Sequence, residues 1–206
     1  ANPGGITTND FTFTMSFRYN DGIGAIGPFN LTGGFAARMH GGNGTFRVDI
    51  NNGISWDRFD TNNNMGDGEW HTIIITANRD GNMVYYEDLQ SDYSFTDTVT
   101  HDISAFDGSN FEDGGHDDWL FGHDGDTRYA GIDIDQIAVW TYAIASVTTL
   151  GYLIFKGIDF TEWGTAHPVY YWKCNEGTGV SVANAGLESD VMALYNNPTW
   201  ITDGIM

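Results

Sequence analysis

The sequence predicts an all-β protein, an antiparallel β-sandwich, and three observations carry that reading. Apolar and polar residues alternate with period two in one short segment after another. Clusters of Gly, Asn and Asp separate about a dozen such segments. No long helical pattern alternates with them, which disfavours an α/β fold.

Residues 1–9 form a small, polar lead-in. Phe11, Phe13, Met15, Phe17 and Tyr19 then alternate with Thr12, Thr14, Ser16 and Arg18, which predicts a half-buried strand. A Gly-rich turn region covers 21–27. Gly34 to Met39 and Thr45 to Ile50 read as two strands, with Phe46, Val48 and Ile50 on one face. Ile54 to Phe59 is a further strand, followed by a polar loop over 60–68. Gly68 to Asp88 reads as a hairpin: Trp70 to Thr76 is rich in β-branched residues, Asn78 to Asn82 supplies the turn, and Met83 to Tyr86 returns. The Asp80-Gly81 pair is expected to turn at positive φ. Tyr93 to Ile103 reads as extended, 107–118 as an acidic loop, Trp119 to Phe121 as a short strand, and Ile132 to Trp140 as another. Tyr142 to Phe155 is the one plausible helix, expected to be short because Thr and Gly occupy its middle. Val169 to Cys174 and Asp190 to Tyr195 read as strands, and no fixed-period repeat suggests a solenoid or propeller.

Composition bounds the function. The chain has 206 residues, of which 41% are hydrophobic and 15% aromatic, enough to fill a core despite 27 Gly. Net charge is −20, with 28 acids against 8 bases. Two Lys and six Arg cannot build the basic surface that nucleic acid or an anionic membrane requires. Cys174 is the only cysteine, so no intramolecular disulfide scaffold exists. No window reaches transmembrane length, so no membrane insertion is expected.

Three stretches resemble the laminin-G-like modules of the concanavalin-A-like jelly-roll superfamily, the lectin and glucanase fold. Asp10 to Phe17 resembles the opening strand, with Phe17 in place of the usual Trp. Asp67-Gly68-Glu69-Trp70-His71 resembles the Gly-x-Trp-His signature, and its hairpin ends at Tyr86-Glu87-Asp88 with Leu89 where Gly is usual. Gly131 to Ser146 resembles the Gly-x-Ile-Asp-x-Val strand and the turn after it, one residue longer than usual after Gly131. These cover a core of 10–157. The tail, 158–206, carries Tyr170 to Gly179 and Ala193 to Trp200, which resemble the segment that opens such modules. It is either a permuted segment or an extension. A lone hairpin is marginal in water, so it should dock on the same sandwich within one domain of 1–206.

Catalytic residues are not assigned. Some enzymes of this superfamily carry a Glu-x-Asp-x-x-Glu strand; the nearest match is Asp133-Ile134-Asp135-Gln136-Ile137-Ala138, where the third carboxylate is missing. Asp135 reads as a structural acid, His71 as a packed, hydrogen-bonded histidine, and Cys174 as a small core residue in a strand. For Ca²⁺, the resemblance points to the loop after a Leu-Gly strand end: Asp124 and Asp126, with Asp117 or Asp118 as partners. Ca²⁺ takes six to eight oxygens, so more than one loop must contribute, and solvated turns explain the same residues equally well. For sugar stacking, Trp56, Trp119 and Trp163 adjoin polar loops, while Trp70, Trp140 and Trp172 are assigned to the core. The expected function is a non-catalytic recognition or adhesion module at an extracellular or particle surface, binding glycan or a surface protein, with Ca²⁺ as candidate cofactor. The competing expectation is a decoration protein among the subunits of a virion, and the third is a glycoside hydrolase or polysaccharide lyase.

Overall fold

The structure, a computed structural model, describes residues 9–19, 29–31, 34–40, 44–52, 54–92, 94–106, 119–121, 131–155, 167–179, 181–188, 191–193 and 199–201. In chain order the strands are β1 (Phe11–Tyr19), β2 (Phe29–Leu31), β3 (Phe35–His40), β4 (Thr45–Asn51), β5 (Trp56–Asn64), β6 (Trp70–Ala77) and β7 (Asn82–Leu89). Then follow β8 (Phe95–Asp102), β9 (Trp119–Phe121), β10 (Ile132–Trp140), helix α1 (Val147–Phe155), β11 (Tyr170–Trp172), β12 (Ser181–Val182) and β13 (Met192–Ala193). One sheet runs β11-β10-β1-β6-β7-β8 and the other β5-β4-β3-β2-β9, with β12-β13 as a separate ribbon. Every paired strand is antiparallel.

The alternation in β1 does what the period demands. Phe11, Phe13, Met15 and Phe17 point between the sheets and are fully buried, opposite Phe35, Phe46, Val48 and Ile50. Phe11 meets Phe35 edge-on at 5.4 Å, and Phe17 stacks on Phe46 at 5.9 Å. The run Ile73-Ile74-Ile75 has a different logic. Ile73 and Ile75 enter this core, whereas Ile74 faces the other way into a second cluster with Ala138, Trp140, Val147, Leu150 and Tyr171. Helix α1 and the link before it therefore cover part of the outer face of the six-stranded sheet. Thr12 on that face pins the link: its hydroxyl donates to the Tyr142 carbonyl at 3.0 Å and accepts the Ile144 N–H at 2.9 Å.

Several expectations need correction. The polar stretch 60–64 is strand, because β5 continues to Asn64. Its polar side chains have partners: Asp60 takes Arg47, Thr61 accepts the Phe46 N–H, Asn62 reaches Asp97 and Asn63 reaches Glu87. The last two bridge the sheets along one side of the sandwich. The hairpin turn closes by Gly81 N–H to the Asn78 carbonyl, 3.0 Å, without a left-handed Gly81. Strands β2 and β12 have no alternation long enough to predict them. Cys174 lies beyond the end of β11, at φ 55°.

The tail docks as expected. Tyr170 to Trp172 pairs with β10, and Tyr170 and Trp172 enter the main core. The extra residue after Gly131 also has a place. Met15 pairs with Ile137 but Phe17 with Ile134, so β10 carries one surplus residue as a β-bulge beside Asp135 and Gln136.

Candidate functional site

Strand register brings Asp133 of β10, Arg18 of β1 and Trp70 of β6 into one transverse row on the outer face of the six-stranded sheet. Arg18 donates to Asp133 Oδ2 from Nε at 2.9 Å and from Nη2 at 2.6 Å. The same guanidinium lies over the Trp70 ring, 5.2 Å from its centroid. Trp70 is thus half-buried on a face, not in the core. Nothing in its sequence neighbourhood says so; the Arg18–Trp70 pairing that exposes it follows only once β1 and β6 are in register.

A cavity opens on each side of Trp70. The larger, about 320 Å³, lies beside α1 between Trp70, Ile74, Asp88, Leu89, Gln90 and Phe95. Gly151 gives it a wall: a Cβ there would sit 3.3 Å from Leu89 and 3.4 Å from Ile74. The smaller, about 150 Å³, lies over the N-terminal half of β10, where β11 no longer covers it. Trp70, Asp133, Asp135, Cys174, Thr199 and Trp200 line it. The Trp200 ring is held by its Nε1–H on the Gly179 carbonyl, 3.2 Å. Burial, then the charges of Glu176 and Asp135, push the Cys174 thiol up, which makes it a poor nucleophile. The two cavities share Trp70 as a wall, and the groove they make on its two sides is lined by aromatic rings, carboxylates and aliphatic side chains, with Arg18 over the Trp70 ring but in neither lining.

Beneath this groove, Asp88 is shared with a buried clamp. His71 donates from Nδ1 to Asp88 Oδ2 at 2.8 Å and from Nε2 to Asp67 Oδ1 at 3.0 Å. Asp88 Oδ1 also accepts the Thr72 N–H at 2.6 Å. Burial works against the imidazolium, but the hydrogen bonds and charges of Asp88 and then Asp67 outweigh it and raise the pKa to about 9. Next to it, burial pushes the Glu87 carboxyl up, against hydrogen bonds from Asn63 and Tyr85. His71, Glu87 and Asp88 are close enough to hold a metal. Both ring nitrogens of His71 are already donors, however, and a ligating nitrogen needs its lone pair. The cluster reads as a hydrogen-bonded clamp, in line with the packed histidine expected from the sequence.

The clamp makes stability depend on pH. The folded value of His71 lies above its ordinary 6.5, so its stabilisation is complete below about pH 6.5 and is lost as pH rises through about 9. With Asp67 at 42% side-chain exposure, the contribution is discounted to the order of 2 kcal/mol. Denaturant unfolding from about pH 6 to about pH 10 should show that decline, and a flat profile would contradict the clamp.

The sequence-predicted site residues fare unevenly. Trp56 is exposed at 52%, at the start of edge strand β5, with the Arg58 guanidinium 5.9 Å from its ring centroid. Trp119 opens β9, the opposite edge of the same sheet. Four strand spacings, roughly 19 Å, separate these edges. Trp163, Asp117, Asp118, Asp124 and Asp126 lie outside the described residues. Trp140 and Trp172 are buried as expected.

No protein-family model matches the sequence, and no curated protein matches it. Solved structures do resemble the fold. One, described provisionally as a carbohydrate binding protein from Bacteroides ovatus, has a TM-score of 0.68 at 13% identity over 98% of this chain and 58% of that one. The binding domain of Paraclostridial Mosquitocidal Protein 1 has a TM-score of 0.56 at 12% identity, over 94% of this chain and 54% of the other. The botulinum neurotoxin DC binding domain, solved in complex with rat synaptotagmin II, has a TM-score of 0.52 at 12% identity over 88% of this chain and 47% of the other. This chain therefore spans about half the length of those it resembles. At such identities the likeness is one of fold: a β-sandwich of the jelly-roll kind, in company with binding domains.

Proposed function

We propose that this chain is a non-catalytic recognition module, displayed at an extracellular or particle surface, that binds glycan in the groove centred on Trp70. The observation that supports this most is the Trp70 ring itself, which forms a wall of two cavities and stands beside carboxylates and an arginine. Sugars bind through the same pair of features, flat C–H faces against aromatic rings and hydroxyls against charged acceptors and donors. Fold likeness to a provisional carbohydrate binding protein and to toxin binding domains supports the same reading.

Hydrolysis is disfavoured by the groove. Asp133 is engaged twice by Arg18, and the position of a third carboxylate is Ala138, 1% exposed and packed in the cluster with Ile74 and Trp140. A carboxylate pair free to act as acid and nucleophile is not provided by Asp133 so held. Ca²⁺ through Asp117, Asp118, Asp124 and Asp126 belongs to this proposal as a cofactor. A glycan array probed with and without chelator tests both parts: glycan signal is expected, lost on chelation if Ca²⁺ is required. A blank array in both conditions would overturn the recognition role.

A further inference from the structure

We infer that the larger cavity takes the acetamido group of an N-acetylhexosamine, in preference to the hydroxyl or free amine of the parent sugar. This rests on the proposed glycan-binding role and names the substituent that the groove selects. Most of the lining is carbon: the Trp70 and Phe95 rings and the aliphatic side chains of Ile74 and Leu89. Phe95 is held against Tyr86, with ring centroids 4.9 Å apart. Glycine is a poor residue for a helix interior, yet Gly151 of α1 lines this cavity. A Cβ there would already stand 3.3 Å from Leu89 and 3.4 Å from Ile74, so the glycine keeps the helix side of the space clear. A volume of about 320 Å³ is at the small end for a ligand site, room for one substituted sugar ring.

The polar groups on the same lining are mostly engaged by the fold. Asp88 gives one carboxylate oxygen to His71 and the other to the Thr72 N–H, and the Thr72 hydroxyl meets that of Ser16 at 2.9 Å. Gln90 differs. Its Nε2 donates to the Asp88 carbonyl at 3.0 Å, which orients the amide, and its Oε1 has no partner among the described residues. Gln90 is exposed, so this acceptor stands at the mouth of an apolar pit. An acetamido group carries the complement, an N–H to donate to Gln90 Oε1 and a methyl to bury against Trp70, Ile74 and Leu89. A hydroxyl in its place would leave water without gaining apolar contact, and an ammonium would bring its charge against hydrocarbon.

Nuclear magnetic resonance titration of the whole chain tests this with methyl β-glycosides of N-acetylglucosamine and N-acetylgalactosamine, and of glucose, galactose and glucosamine as their unacetylated counterparts. At least one acetylated sugar should bind about ten-fold tighter than its counterparts, from one buried methyl and one hydrogen bond. Its shifts should include the Gln90 side-chain amide, the Gly151 N–H and the Trp70 indole. Gln90→Ala, at an exposed position, should reduce the preference to within about three-fold; if that variant does not fold, the shift map of the intact protein decides. Equal binding of acetylated and unacetylated sugars, shifts that leave Gln90 and Gly151 unmoved, or an unchanged preference in folded Gln90→Ala overturns the inference and leaves glycan recognition standing. Silence from all five sugars with other glycans positive on the array does the same. A blank array removes both.

Discussion

Asp88→Ala should lower the unfolding free energy by about 3 kcal/mol at pH 6 and remove most of the pH dependence above it. Two contacts converge on this carboxylate, the buried His71 imidazolium at 2.8 Å and the Thr72 N–H at 2.6 Å, and His71 in turn donates to the Asp67 carboxylate at 3.0 Å. Asp88 also holds φ 40°, a left-handed conformation that aspartate tolerates better than alanine does. The truncated variant keeps the backbone strain, removes the acceptor of the partly buried Thr72 N–H and leaves His71 with one partner. His71 then titrates closer to its ordinary 6.5, so the variant's stability should be nearly level between about pH 7 and about pH 10. Asp88→Asn, which keeps an acceptor and tolerates the backbone, should lose about half as much. A wild-type pH profile in Asp88→Ala would place the titrating group elsewhere.

Gly186→Ala should cost about 3 kcal/mol and loosen the docked tail before the rest of the sandwich. A Cβ at this position would lie 2.5 Å from the Val169 carbonyl oxygen and 2.8 Å from that of Pro168. Backbone atoms, unlike a side-chain tip, cannot rotate away. The same few residues carry the hydrogen bonds that hold the tail: Ala185 N–H to the Tyr171 carbonyl at 2.7 Å, Leu187 N–H to Pro168 at 3.1 Å and Glu188 N–H to Val169 at 3.1 Å. Asn184 Oδ1 accepts both the Tyr171 N–H and the Gly186 N–H, which ties β11 to the chain that returns over it. Hydrogen exchange should show faster exchange at Tyr171 and Ala185 than in β1 and β6. Unchanged protection in the tail would mean that its docking does not run through this contact.

Phe11 to Tyr19 was legible by its alternation, although it is buried on both faces and not half-buried as expected: the aromatic side meets the other sheet, and Thr12, Thr14 and Ser16 on the other side are covered as well. Residues 60–64 misled because their polarity is answered by partners far along the chain, Asp97 and Glu87, which local sequence does not show. Phe29 to Leu31 and Ser181-Val182 are too short for any period to emerge. The groove was least legible. Trp70 sits in a signature that reads as structural, and only the pairing Arg18 to Trp70 and Arg18 to Asp133 turns three distant residues into one surface. Asp133 and Asp135 match part of a catalytic spacing, and both line the smaller cavity. Trp56, by contrast, is exposed but has no cavity beside it among those described.

The most direct test of a recognition groove centred on Trp70 is calorimetric titration of one array-positive glycan into wild type, Trp70→Ala and Trp56→Ala, with circular dichroism to confirm that each folds. Loss of a stacking ring should weaken binding at least ten-fold in Trp70→Ala, while Trp56→Ala stays within about two-fold of wild type. Wild-type affinity in Trp70→Ala, together with loss of binding in Trp56→Ala, would move recognition to the other sheet and contradict the assignment.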